Sequence, residues 1–390
     1  MSQAIARTEA ERALGLSLPH RRMEEWRWTD LRQLIDQPYP PRQKVEASAA
    51  EVTRLLAQSP FAAVPAARMV FVNGHYDAGH SKLANGWVES KAEANDPLLQ
   101  MNLAFATDGA RLRIEGNEGR PLELVFIATG AMPRTVATHN VIEVADDSSA
   151  TIIETHLGEG SYLGCSVSEI RIGHNARLDR VKAEIEAPGA THLAHAHVTL
   201  ARNATLRDFT LTAGARLNRQ NGDYRLNGEY ADARVSGAYL LAGRQHADTR
   251  LVVDHQLANC VSRELFKCVM DGQARGIFQG KVIVRPGAQK TDGKQSSHAL
   301  LLSPTAEFDA KPELEIYADD VVCGHGATAG ELNHDHMFYL MSRGIPEAEA
   351  KALLIAAFVG EAFEAIHDEG IRAALAAHAE AWLLRQGRAG

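Results

Sequence analysis

A thiol and an imidazole stand two residues apart in Val322-Cys323-Gly324-His325-Gly326-Ala327-Thr328. On an extended backbone, positions i and i+2 point to one face, so Cys323 and His325 can address one partner. Soft sulfur beside borderline nitrogen suits zinc, copper or iron–sulfur chemistry. Two ligands do not close a tetrahedral site, so a second chain would have to supply the rest. Gly324 and Gly326 leave the backbone bare around the imidazole, which allows close approach by another chain, or a bulge. The plainer reading makes Cys323 a small buried hydrophobe and His325 a hydrogen-bonded turn residue.

Other groups compete for attention. His192, His195 and His197 lie in Thr191-His192-Leu193-Ala194-His195-Ala196-His197. His195 and His197 share a strand face and form a conceivable metal pair, although the expected reading is surface or turn histidines. His334 and His336 extend the list for a chain that would bind metal alone. Asp254-His255 invites a general-base reading, but spacing places no nucleophile against it. The Lys and Arg of Arg263 to Lys267 and of Gly280 to Val284 read as solvated charge. No GxxxxGK[ST] phosphate loop occurs in the sequence.

The elements that must position these groups are mostly strands. Before the thiol, Leu314, Ile316 and Ala318 alternate with Glu313, Glu315 and Tyr317, the pattern of a half-buried strand. From about 135 to 300 a unit of strand, turn and strand recurs, with Asn175-Ala176, Asn203-Ala204 or Gly214-Ala215 at the turn. Small residues at one turn point suit stacked coils, so the expected body is a parallel β-helix, with a jelly-roll sandwich as rival. Upstream, Met69 to Val72 followed by Asn73-Gly74 predicts a hairpin, and Arg111 to Glu115 and Leu122 to Ala128 predict strands. A polar stretch from Lys82 to Thr107 allows a helix.

Both ends read as helical. Met1 to Leu14 is rich in Ala, Glu and Arg, and Val45 to Gln58 predicts a further helix beyond the stiff Pro38, Pro40 and Pro41. Trp26 and Trp28 are expected to anchor this arm onto the body. Near the other end, Asn333 or Asp335 would cap a short helix that Gly344 ends, and Pro346 would open the next at N1. Leu353, Leu354, Ala357, Phe358, Ala362, Ala365 and Ile366 form its expected apolar stripe. Gly370 is expected to break it before a last helix from Ile371 to Arg385. Such a helical hairpin either caps the exposed coil or offers a docking surface.

Size and charge narrow the function. The 390 residues can bury a large core, and a net charge of −8 disfavours nonspecific nucleic-acid binding. Four cysteines without a CxxC pair fit a reducing compartment, and no signal-like or membrane-spanning run is seen. The expected location is cytoplasmic.

Several stretches together resemble the SufB/SufD family of iron–sulfur cluster assembly scaffold proteins, most closely its SufD-like branch. They are Glu25-Trp26-Arg27-Trp28-Thr29-Asp30-Leu31, Phe71-Val72-Asn73-Gly74, Thr291-Asp292-Gly293-Lys294-Gln295, Lys311 to Asp320, Cys323 to Thr328, and Phe338 to Ile345. Ser296-Ser297-His298-Ala299, where SufB-like sequences tend to carry a cysteine, favours the SufD-like branch. The resemblance implies a mainly β protein: a right-handed parallel β-helix over 67–330 between helical regions at 1–66 and 331–390.

It also implies a non-catalytic subunit that pairs with a SufB-like paralogue and docks a SufC-like ABC-type ATPase. An iron–sulfur cluster or iron would be held transiently at the joint with the paralogue, none bound tightly by the isolated chain. His325 is then the first ligand candidate and Cys323 the second. Tyr317, Asp319, Asp320, His325 and Thr328 would face the paralogue. Phe338, Tyr339, Leu340, Arg343, Gly344, Ile345, Phe358 and Glu361 would face the ATPase. A homodimer of the isolated chain stays an open alternative, and neither nucleic acid nor membrane is an expected partner. The alternative is a β-helix enzyme acting on saccharides or acyl groups.

Overall fold

Strands joined by corners of small residues can stack coil upon coil, and the chain does so. The computed structural model describes residues 17–35, 37–40, 46–91, 96–130 and 132–386. The predicted helix over Met1 to Leu14 lies outside them. Successive strands alternate between a ten-stranded and an eight-stranded sheet, making a parallel β-solenoid of about eight turns. Neighbouring coils pair in register: Arg177 with Thr205 and Thr205 with Asp232, steps of 28 and 27 residues. Parallel pairing excludes the jelly roll, whose strands run antiparallel. The antiparallel exception is the predicted hairpin, Ala67–Val72 with His75–Tyr76, turning through Asn73 (φ 53°) and Gly74 (φ 83°).

The corners explain the repeat. Asn175, Asn203 and Asn259 adopt left-handed backbone, with φ between 55° and 61°, which Asn tolerates better than most residues. Each is followed by a small, fully buried residue: Ala176, Ala204 and Cys260. The asparagines also form a ladder, Asn203 Nδ2 donating to Asn175 Oδ1 (2.9 Å) and Asn175 Nδ2 to Asp147 Oδ1 (2.8 Å). Between the sheets, inward residues such as Ile142, Ile152, Ile170, Leu178, Leu206 and Leu226 make a continuous aliphatic core. Each contributes about 1.5–3 kcal/mol by burial.

The outer faces are covered by helices. On the eight-stranded sheet, Leu18, Trp26, Leu31, Ile35 and Tyr39 of the N-terminal arm pack on Leu163, Cys165, Leu193 and Leu217. They are joined there by Leu98 and Met101 of a helix at Pro97–Phe105. In this arm α1 spans Leu31–Leu34, α2 spans Ala49–Leu56, and the Pro97–Phe105 helix is α3. Trp26 anchors the arm as expected, its ring lying 4.7 Å from the buried Arg219 guanidinium.

Three helices follow the last strand: α4 (His334–Ser342), α5 (Glu347–Phe363) and α6 (Glu369–Gln386). Ile355, Val359, Ala362 and Phe363 of α5 and Ile371, Leu375 and Trp382 of α6 pack on Val181, Phe209, Leu211, Leu240 and Val269. This pair therefore covers the outer face of the ten-stranded sheet rather than capping the open end. The buried stripe of α5 differs from the expected one, with Leu353 and Ala357 exposed. An all-apolar run from Ala352 to Val359 carries no polar face to orient it. Asn333 caps α4, its Oδ1 accepting from His336 N (3.1 Å), and Gly344 follows in left-handed backbone (φ 84°). Pro346 is the N-cap of α5 rather than its first residue. Gly370 lies in the first turn of α6, and the break is made by Asp368, whose carboxylate accepts from Ile371 N (2.9 Å).

Candidate functional site

The last coil is unlike those before it. Its strands, Glu307–Ile316 and Val322–Gly330, end the two sheets, so each has a partner on one edge only. None of the residues of either strand is fully buried, whereas the strand Leu122–Ala128 near the other end is buried throughout. Unpaired N–H and C=O groups on such an edge are a template for further strand pairing.

Cys323 and His325 stand on this edge. Cys323 is half-buried and packs with Val282, Val284, Leu314 and Ala318, and that burial raises its thiol pKa. His325 is exposed, lies in a strand rather than a turn, and has no side-chain hydrogen bond among the described residues. A Cβ added at Gly324, Gly326 or Gly330 would meet nothing within 4 Å. Nothing inside the chain therefore demands glycine there. Tyr317, Asp319 and Asp320 form the adjoining corner and are exposed, with Asp320 paired to Lys290. Thr328 Oγ1 bonds His298 Nδ1 (2.8 Å) on the neighbouring strand.

Beneath His325 lies a polar column that sequence reading missed. His325 pairs in register with Gln295, and Gln295 with Glu264. Gln295 Nε2 donates to Glu264 Oε2 (3.0 Å), while Oε1 of each residue has no hydrogen-bond partner. Burial pushes the Glu264 carboxyl up to about 8, against the opposing hydrogen bond from Gln295. The available signal was parity: Glu264 shares its strand face with the inward Phe266 and Cys268.

Deeper in the solenoid the interior is charged. Arg180 bridges Glu154 (2.7 Å) and Asp208 (3.1 Å), all three almost fully buried. Burial opposes the charge on Glu154, but Arg180, His156 and Lys182 together outweigh it and hold the carboxyl well below the usual range. His192 Nδ1 meets Glu186 (2.6 Å); burial works against its charge, yet Glu186 and Glu184 lift its pKa to about 10. His192 and His195 are buried, contrary to the surface reading. The Asp254-His255 pair forms no triad. His255 Nε2 reaches Ser262 Oγ (2.9 Å) with both residues sealed, but Asp254 turns to Arg285 and His255 Nδ1 is unpartnered.

The expected ATPase-facing residues fall into two groups. α4 buries no side chain, leaving Phe338 (75 % exposed) and Tyr339 outward, with the Arg343 guanidinium over the Tyr339 ring. Leu340 and Ile345 are half-buried, and Ile345 N donates to Leu340 O across the Gly344 turn. Leu302, Pro304, Leu332, Met337, Phe338 and Met341 line an open groove beside this helix. Phe358 and Glu361 instead face the sheet. Lys267 sits over the Phe358 ring and pairs with Glu361 (2.5 Å).

Known proteins share this arrangement of sequence. Residues 126–358 match the family described as "SUF system FeS cluster assembly, SufBD core domain". The chain is 30 % identical to the iron-sulfur cluster assembly protein SufD of Escherichia coli, over 94 % of this chain and 90 % of that protein. A SufBD family protein of Synechocystis is 30 % identical over 90 % and 84 %. One of Mycobacterium tuberculosis is 29 % identical over 94 % and 89 %. With most strands of the core, the open last coil and the Cys323–His325 pair lying inside the matched span, the chain belongs to the SufBD family of iron–sulfur cluster assembly proteins and is SufD-like.

Proposed function

We propose that this chain is a scaffold subunit that joins a SufB-like paralogue end to end and gives half of a metal pocket at the joint. The single observation carrying this reading is the unfinished last coil, which presents Cys323 and His325 on open strand edges. A paralogue of similar cross-section can continue both sheets by main-chain hydrogen bonding. Gly324 and Gly326 let its backbone come close. His325 is the first ligand for the iron or nascent cluster, which is cargo, and Cys323 the second. Tyr317, Asp319, Asp320 and Thr328 frame the contact. Two protein ligands leave half of a tetrahedral site for the partner to complete.

The second contact is with a SufC-like ABC-type ATPase. An exposed aromatic pair on a helix that buries nothing of its own supports docking at Phe338 and Tyr339. ATP hydrolysis belongs to that partner, since this sequence carries no phosphate loop. Phe358 and Glu361 keep α5 on the sheet, so movement at α4 reaches the solenoid through them. Without the paralogue, the same edges allow self-pairing.

Gly326→Lys tests the joint. Its side chain enters open space, so the isolated chain keeps its melting temperature, while a charged edge resists strand addition. Co-purification with the SufB-like partner is expected to fall at least tenfold. Retention of normal pairing would move the joint elsewhere.

A further inference from the structure

A second group of ligand-type side chains lies far along the solenoid from the open coil, on the outer face of the eight-stranded sheet. His195 and His197 project from the strand Thr191–Leu200 on the side that also carries Leu193, which packs under the N-terminal arm and α3. Above them stands Asp96, the N-cap of α3. Its Oδ1 accepts from Leu98 N (2.9 Å) and Leu99 N (3.1 Å), which leaves Oδ2 uncommitted to the cap.

Three atoms converge there: Asp96 Oδ2, His195 Nδ1 and His197 Nε2, all within 4.8 Å of one another. All three atoms are buried; among the described residues His195 Nδ1 and Asp96 Oδ2 face each other as an ion pair when the imidazole is protonated, and His197 Nε2 has no hydrogen-bond partner. The His195 side chain is only 2 % exposed. Leaving a buried polar atom such as His197 Nε2 unsatisfied costs about 1–3 kcal/mol, and an ion at the point where the three atoms converge would serve it together with the other two. The separations fit one. Bonds of about 2.0–2.1 Å in a tetrahedral site put ligand atoms roughly 3.3 Å apart. Asp96 Oδ2 lies 3.0 Å from His195 Nδ1 and 3.9 Å from His197 Nε2.

The surroundings of His195 have the form expected of a metal-bound imidazole. Its other nitrogen, Nε2, lies 2.9 Å from Asp223 Oδ2, and Asp223 is itself held by Arg250 (3.0 Å). A proton on Nε2 donated to Asp223 leaves the Nδ1 lone pair facing Asp96 and His197. The two rings stack at 3.9 Å, so their nitrogens approach from one side. His197 and Asp96 are partly exposed, which leaves an entry path and room for water as a further ligand.

We propose that Asp96, His195 and His197 bind a divalent first-row transition-metal ion, with Asp223 orienting His195. Two imidazoles and a carboxylate suit Zn²⁺, Co²⁺ or Fe²⁺ and discriminate against Mg²⁺ and Ca²⁺. The ion ties the start of α3 to the sheet. This site is independent of the joint proposed above.

The experiment uses the full chain carrying Cys323→Ser and His325→Ala, so that the open coil supplies no ligand. After chelation and desalting it is loaded with Zn²⁺ or Co²⁺. One equivalent retained, with visible Co²⁺ absorption lacking a sulfur charge-transfer band, is the expected result. His197→Ala is expected to weaken binding by roughly tenfold or more. Asp96→Asn keeps the cap acceptor, so it folds normally and still loses affinity. Zn²⁺ should raise the melting temperature of the parent and not that of Asp96→Asn. Retention below one tenth of an equivalent, or unchanged affinity in both variants, overturns the proposal.

Discussion

The middle of the solenoid and its last coil spend polar residues in opposite ways. Around Arg180 the interior holds Glu154, Asp208, Lys182, Glu184, Glu186 and His192 in buried ion pairs. In the last coil Cys323 and His325 sit on open edges, and His325 has no partner among the described residues. The first region is closed by the chain itself. The second is left open by the chain, and under the proposal above it is where the paralogue joins.

Substitutions should separate the two regions. The largest loss of stability is expected from Arg180→Ala, which takes from the buried Glu154 and Asp208 the guanidinium that bridges them. About 3–5 kcal/mol should disappear from the unfolding free energy in urea. A loss under 1 kcal/mol would mean that water reaches this interior.

Glu264 marks the boundary between the regions. Its folded pKa of about 8 lies above the ordinary carboxylate value of 4.5, so the native state holds the proton more tightly. Its contribution is most favourable below pH 4.5 and is lost as pH rises towards 8, at up to about 1.4 kcal/mol per unit. Glu264→Gln should flatten this decline, and denaturation curves of both chains between pH 5 and 8 check it. Identical pH slopes would place Glu264 in contact with solvent.

Phe338→Asp is expected to change the stability of the isolated chain by only about 0.5 kcal/mol, since the ring is exposed. Gel filtration with the proposed SufC-like ATPase reads the expected effect, which is loss of co-elution. Unaltered co-elution would assign α4 a structural role alone.

The solenoid was legible because its corners have sequence signals. Asn175-Ala176 and Asn203-Ala204 combine a residue that tolerates left-handed backbone with one small enough to stack. The Cys323–His325 pair was legible from spacing on a strand. The charged interior was not, because Arg180, Lys182 and Glu184 look solvated until their shared parity with Leu178 is noticed. Nor could the face of α5 be chosen, since Leu353 and Ile355 are equally apolar and only packing on the sheet distinguishes them. Asp96 meets His195 across 99 positions, a contact made by tertiary folding and invisible to local pattern.

Cluster formation by the assembled complex carrying His325→Ala, followed anaerobically by visible absorption and iron content, tests the central claim most directly. Normal assembly with cluster yield reduced at least tenfold is the predicted result. Full cluster yield from an intact complex would show that the open coil of this subunit supplies no first ligand to the cargo.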